Sequence, residues 1–217
     1  MIALALAAHA DRFARRHHIE CRLASGVALT FDDGPHPEGT PAVLEALAAG
    51  GATATFFVVG EQVRRRPELV RRIVAAGHEV ALHGDPHVLL LRRRPAELAA
   101  DFDRALATVA DAAGFEPRLY RPPYGVFSPW ALREVRRRGW RPLLWSAWGR
   151  DWERRATPAS IARRAARGLA AGAVVLLHDS DAYSSAESWR RTAAALPSLL
   201  EAAASSSLAC VSVTQAT

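Results

Sequence analysis

The sequence predicts an α/β protein built on parallel strands, and three observations carry that prediction. Short apolar runs alternate without interruption with segments of helical periodicity. Most of the runs are continuously apolar, as in strands buried on both faces. The least ordinary polar residues fall at the C-terminal ends of these runs, where a β/α barrel builds its site. The 217 residues suit one large domain. A β/α barrel and an open doubly wound sheet both satisfy these observations. No glycine-rich phosphate loop follows the first run, which disfavours a nucleotide-binding sheet.

Seven runs qualify as strands: 27–31, 53–59, 79–82, 118–120, 141–147, 173–177 and 208–213. Helical patterns fill the gaps. Leu69, Val70, Ile73 and Val74 mark one apolar face, and Leu98, Phe102, Ala105 and Val109 mark another at 3.6-residue spacing. Thr40-Pro41, Ser128-Pro129 and Thr157-Pro158 each place a capping residue before a proline at the first helical position. Gly50, Gly77, Gly114 and Gly139 stand where helix stops belong, and Pro67 breaks one helical stretch in two. The apolar start, residues 1–8, lacks a basic region and is short for a secretion signal. It runs on into an amphipathic pattern, so an N-terminal helical extension over 1–25 is expected.

Composition narrows the partners. All 28 basic residues are arginine, and the net charge is +6. The arginines are spread over every predicted helix and form no basic stripe with aromatics, so nucleic acid is not the expected partner. No run reaches membrane-spanning length. Cys21 and Cys210 make neither a metal motif nor a disulfide framework; two thiols are expected, with a bond between the chain ends as the alternative.

The chemistry concentrates in five segments. "TFDDGP" ends the first strand on Asp32 and Asp33. Adjacent residues of a strand point to opposite faces, so both serve one site only if the strand ends there and the backbone turns, as Gly34 allows. A cation beside Asp33 would relieve the repulsion, and Arg121 would hold Asp32 ionised as a base. "HGDPH" sets His83 and His87 four residues apart; two imidazoles and a carboxylate make a three-ligand metal site with open positions. By itself each pattern reads more readily as a surface turn or as structural histidines. "RPPYG" follows the fourth strand, and its two prolines fix a loop able to present N–H groups to an oxyanion. Trp145, Trp148 and Trp152 crowd near the fifth strand as core or as an aromatic wall. His178 follows the apolar "VVLL"; alone it reads more readily as structural, whereas a nearby carboxylate such as Asp151 would keep it protonated as a general acid.

These five segments, in this order over nearly the whole chain, resemble the polysaccharide deacetylase family, also called the NodB-homology or carbohydrate esterase family 4 domain. The resemblance implies a distorted (β/α) barrel of about seven parallel strands over 26–217. It implies Asp32 as general base, Asp33, His83 and His87 as metal ligands, and Arg121 as the residue orienting Asp32. It further implies Tyr124 N–H in the Pro123 loop as oxyanion donor, Asp151 supporting the acid His178, Trp152 as a groove wall, and Leu177 as a floor for the acetyl methyl. The metal would be Zn²⁺, with Co²⁺ or Ni²⁺ accepting the same ligands. The implied reaction removes N-acetyl groups from an N-acetylglucosamine-containing polymer such as peptidoglycan or chitin oligomers. Two positions depart from the family pattern: Gly84 stands where Ser or Thr is usual, and Trp148 where an Asp often begins the fourth motif. The role of Asp85 is not assigned.

The competing readings are an esterase or amidase on another acylated substrate, a non-catalytic carbohydrate-binding domain, and an Fe(II) oxygenase with the same ligand types. The alternation of strand and helix disfavours the last, and intact Asp32 and His178 disfavour the second. A monomer is expected. As written the chain would be cytoplasmic, or at the cell envelope if exported otherwise.

Overall fold

A computed structural model describes residue 14 and residues 16–216. Seven parallel strands form one sheet: β1 (Val27–Asp32), β2 (Thr55–Val58), β3 (Glu79–Leu82), β4 (Leu119–Tyr120), β5 (Arg141–Pro142), β6 (Ala147–Trp148) and β7 (Ala173–His178). Their order is β5-β4-β3-β2-β1-β7-β6, so β5 and β6 are opposite edges although only four residues separate them. A chain that short spans at most roughly 17 Å. The two edges therefore come together, and the sheet curls into a distorted barrel. Glu20 bridges Leu143 and Arg22 bridges Ala173, so the N-terminal segment spans the seam.

Two sequence expectations are corrected here. The single strand expected over 141–147 is two short ones on opposite edges, because the chain must cross the seam. The strand expected over 208–213 reduces to one bridge, Cys210 to Val27; Val213 joins the inner core and its N–H donates to Thr55 Oγ1 at 2.9 Å. Of the expected N-terminal helical extension, residues 1–13 and 15 lie outside the described residues, and 19–25 are not helical. Cys21 and Cys210 are both half-buried and are not joined by a disulfide.

Among the described residues seven α-helices with full bounds surround the sheet: α1 (Gly39–Ala49), α2 (Gly60–Arg65), α3 (Pro67–Ala75), α4 (Pro95–Ala113), α5 (Pro129–Arg137), α6 (Pro158–Ala166) and α7 (Ser188–Ser205). Pro67 does separate α2 from α3. Ser128 Oγ accepts from Ala131 N–H at 3.2 Å, and Thr157 caps α6 reciprocally with Ser160. Gly114 ends α4 at φ 81°, a left-handed stop. Thr40 is not a cap. α1 opens two residues earlier, with Glu38 before it, and the Thr40 hydroxyl instead donates to the buried Asp179 carboxylate.

Strand side chains alternate between two cores, and this parity positions the site. Val27, Leu29 and Phe31 of β1 pack outwards with Val58, Val80, Leu82, Tyr120, Val175 and the helices. Ala28, Phe57, Ala81, Leu119 and Val174 fill the barrel interior. Counting by two along each strand from these inner residues reaches Asp32, His83, Arg121 and His178. The register pairs Asp32 with Phe57 and with His178, and Leu82 with Tyr120, so all four arrive at one rim.

Phe102 of α4 anchors the outer core against Tyr120 at 5.1 Å and Trp140 at 5.7 Å between ring centroids. Phe102→Ala should lower unfolding free energy by about 3–5 kcal/mol, read from urea denaturation followed by circular dichroism.

Candidate metal centre and active site

The rim is organised from the centre outwards by Arg121, which is fully buried. Its Nη1 donates to Asp32 Oδ1 at 2.6 Å and to Thr30 Oγ1 at 2.8 Å. Its Nη2 and Nε reach the carbonyls of Leu144 and Leu143 at 3.1 and 3.4 Å. The guanidinium lies over the Phe57 ring, 4.0 Å from its centroid. Burial pushes its pKa down, and the facing Asp32 opposes that.

Asp32 continues the inward parity of β1, whereas Asp33 lies just beyond the strand at φ 77°. The turn that brings both carboxylates to one site is thus made by Asp33 itself, one residue before the expected Gly34. Aspartate tolerates this left-handed region better than most side chains.

Asp33 Oδ1 lies 3.4 Å from His83 Nε2 and 3.3 Å from His87 Nε2. One ligand atom from each of the three residues falls within 4.8 Å of the other two. His83 Nδ1 bonds the Arg121 carbonyl at 2.9 Å, which aims Nε2 at Asp33. Burial would raise the Asp33 carboxyl, but the neighbouring imidazoles of His83, His178 and His87 outweigh it and hold it at about 2. Burial pushes His87 down to about 4, against the pull of Asp33, so its imidazole is neutral with a lone pair to give. Asp33 Oδ1 is buried and has no hydrogen-bond donor among the described residues. An ionised carboxylate oxygen with unpartnered lone pairs between two imidazoles fits a divalent cation.

His178 Nε2 faces Asp33 Oδ2 at 3.9 Å. Behind it, Asp151 is fully buried and accepts from His178 N–H at 2.7 Å, His178 Nδ1 at 3.0 Å and Thr192 Oγ1 at 2.8 Å. Burial would lower the imidazole pKa; the Asp151 charge and hydrogen bond, with Asp33 and Asp32 behind them, outweigh it and raise it to about 10. Trp152 lies edge-on to the His178 ring at 5.5 Å, Trp148 is edge-on to Trp152 at 5.7 Å, and Trp145 is 6.3 Å from Trp148. The three indoles thus form a row leading away from the His178 ring, with Trp148 in its middle. Tyr124 adopts φ 61° and ψ 7° in the Pro123 turn, a strained conformation for a bulky residue, with its ring exposed at the mouth.

One expected site residue faces elsewhere. Leu177 belongs to the outer core and packs towards Gly149 and Ile161, with 1% of its surface exposed. It has the wrong parity for a groove floor. Leu176 shares the inner face with Val174 and His178, and stepping back by two from His178 would have found it. Asp85 contributes no ligand atom to the grouping of Asp33 with the two histidines and takes Arg64 and Arg104 instead. It stiffens the Gly84 loop, whose carbonyl also accepts from Gly60 N–H at 2.9 Å. Thr30, Thr192 and Tyr183 carried no sequence signal, since each acts only through a partner distant in the chain.

Residues 20–143 match the family model described as polysaccharide deacetylase. The chain is 40% identical over 166 residues to a chitooligosaccharide deacetylase of Bradyrhizobium sp. (strain ANU 289), covering 76% of this chain and 75% of that one. It is 35% identical over 161 residues to a peptidoglycan-N-acetylglucosamine deacetylase of Bacillus cereus (strain ATCC 14579), covering 70% and 72%. A family 4 carbohydrate esterase from Streptomyces lividans, solved in complex with acetate, superposes with a TM-score of 0.76 at 34% identity over 86% of this chain and 92% of that one.

The folded-state pKa of His178 is raised above its ordinary 6.5, so its stabilisation is complete below about 6.5 and is lost as pH rises through about 10. Metal-free protein should lose stability between pH 7 and 10, and His178→Gln should flatten that decline in urea titrations at each pH.

Proposed function

Since the chain belongs to the polysaccharide deacetylase family, we propose that residues 26–217 form a metal-dependent hydrolase that removes N-acetyl groups from an N-acetylglucosamine-containing glycan. The observation that carries this reading is the unpartnered, buried Asp33 Oδ1 between His83 and His87, with a carboxylate on one side and a protonated imidazole on the other. Asp33, His83 and His87 would hold the cation, Zn²⁺ by the imidazole-rich set, with Co²⁺ or Ni²⁺ as alternatives. When bound, it would supply a Lewis acid that polarises the acyl carbonyl and lowers the pKa of water to about 7.

The chain's own residues divide the remaining work. Asp32 keeps Oδ1 on Arg121 and turns Oδ2 towards the ligands, 3.7 Å from His83 Nε2. That oxygen takes the proton of the attacking water. Tyr124 N–H, in its strained turn, meets the developing oxyanion. His178 gives its Nε2 proton to the departing amine, which cannot leave as an anion, and Asp151 holds the ring for that transfer. Leu176 offers the acetyl methyl an apolar floor, and Trp152 with Trp148 walls the sugar. Acetate and a free amino sugar are the products.

Acetate release from N-acetylglucosamine oligomers and from peptidoglycan tests this. Release is expected, lost with chelator and restored by added Zn²⁺. Release only from O-acetylated sugars would make the chain an esterase, and no release from any acetylated glycan by metal-loaded protein would refute the hydrolase.

A further inference from the structure

The two histidines of the centre are oriented by different means. His83 has the usual support, a hydrogen bond from its far nitrogen to a backbone carbonyl. His87 has none: its Nδ1 is buried without a hydrogen-bond partner among the described residues. Its ring is instead packed between two tyrosines. Tyr183 stacks on it at 4.1 Å between centroids with 12° between planes, and Tyr124 meets it edge-on at 4.6 Å.

Tyr183 is itself held. Its hydroxyl donates to Glu61 and accepts from Gln62 Nε2 at 3.1 Å, both on α2. The loop that carries it, residues 179–187 between β7 and α7, is tied at either side. Asp181 meets His36 at 3.3 Å, and Ser185 N–H donates to the Trp152 carbonyl at 3.4 Å. The Tyr183 ring is therefore a fixed surface and not a passing contact.

We propose that Tyr183 is a positioning residue for His87, substituting a stacked ring for the absent hydrogen bond, so that the β7–α7 loop and metal affinity are coupled. The inference rests on Asp33, His83 and His87 holding the metal. An imidazole free to rotate about χ2 loses the ligand direction of Nε2. A ring stacked nearly parallel restricts that rotation without competing for the lone pair. Coupling runs both ways: a ligated His87 must in turn steady the loop.

Zinc affinity of the full chain, by competition with a chromophoric chelator, tests the proposal, with circular dichroism of each metal-free variant as the control for folding. Tyr183→Phe keeps the ring and should stay within about threefold of wild type, whereas Tyr183→Leu should bind roughly tenfold more weakly. In a His87→Ala background, Tyr183→Leu should change nothing further, because the residue it positions is gone. A loss that persists there marks a merely structural role and overturns the proposal, as does unchanged affinity in Tyr183→Leu. Should Tyr183→Leu not fold, amide exchange in the wild type decides: zinc should slow exchange over residues 180–184, and unaltered exchange overturns the coupling. A wild type that binds no zinc refutes the metal reading and this inference together; a wild type that binds while the variants match it refutes this inference alone.

Discussion

The buried contact between Arg121 and Asp32 is the constraint on which the rest of the rim depends. The guanidinium is fully buried and shares its donors between Asp32, Thr30 and the carbonyls of Leu143 and Leu144, where the chain crosses the seam of the barrel. A charge in such a place is tolerated only when paired and hydrogen-bonded throughout. The same residue's carbonyl aims His83. One residue thus ties the seam of the barrel, fixes the Asp32 carboxylate and aims the His83 imidazole, and each of those geometries constrains the other two.

That arrangement explains why two aspartates stand side by side at the end of β1. Asp32 is neutralised from within by Arg121, and Asp33 faces histidines across the rim, so the two negative charges have different partners. The backbone separates them through the left-handed conformation of Asp33. A third carboxyl nearby follows a different course. Asp179 is buried beside the Asp33–Gly34 turn, and burial, with the Asp33 charge adding to it against the Thr40 hydrogen bond, raises it to about 7. It accepts the Thr40 hydroxyl and contributes no ligand atom to the grouping.

Much of this was legible in the sequence because it is governed by local rules. Continuous apolar runs gave parallel strands, and strand ends gave the residues that meet at the rim. Ser128 and Thr157 capped their helices as their side chains require. What was not legible depends on closure and on distant partners. Nothing local distinguishes one strand over 141–147 from two that cross a seam. Thr40 looks like a cap until Asp179 arrives from the far end of the chain. Leu177 was misread for a reason the sequence did contain: the two-residue period of β7 puts Leu176, not Leu177, beside His178. Tyr183 had no pattern of its own, since its stacking on His87 exists only once the loops after β3 and β7 meet.

The central claim is the division of labour between the adjacent carboxylates, and metal content is its most direct measure. Asp32→Asn and Asp33→Asn should be purified, loaded with Zn²⁺ and dialysed side by side, and bound zinc counted by atomic emission against protein concentration. Asp32→Asn is expected to retain about one zinc per chain, as a residue outside a three-ligand site should, while Asp33→Asn loses it. Zinc lost from Asp32→Asn and kept by Asp33→Asn would contradict the account.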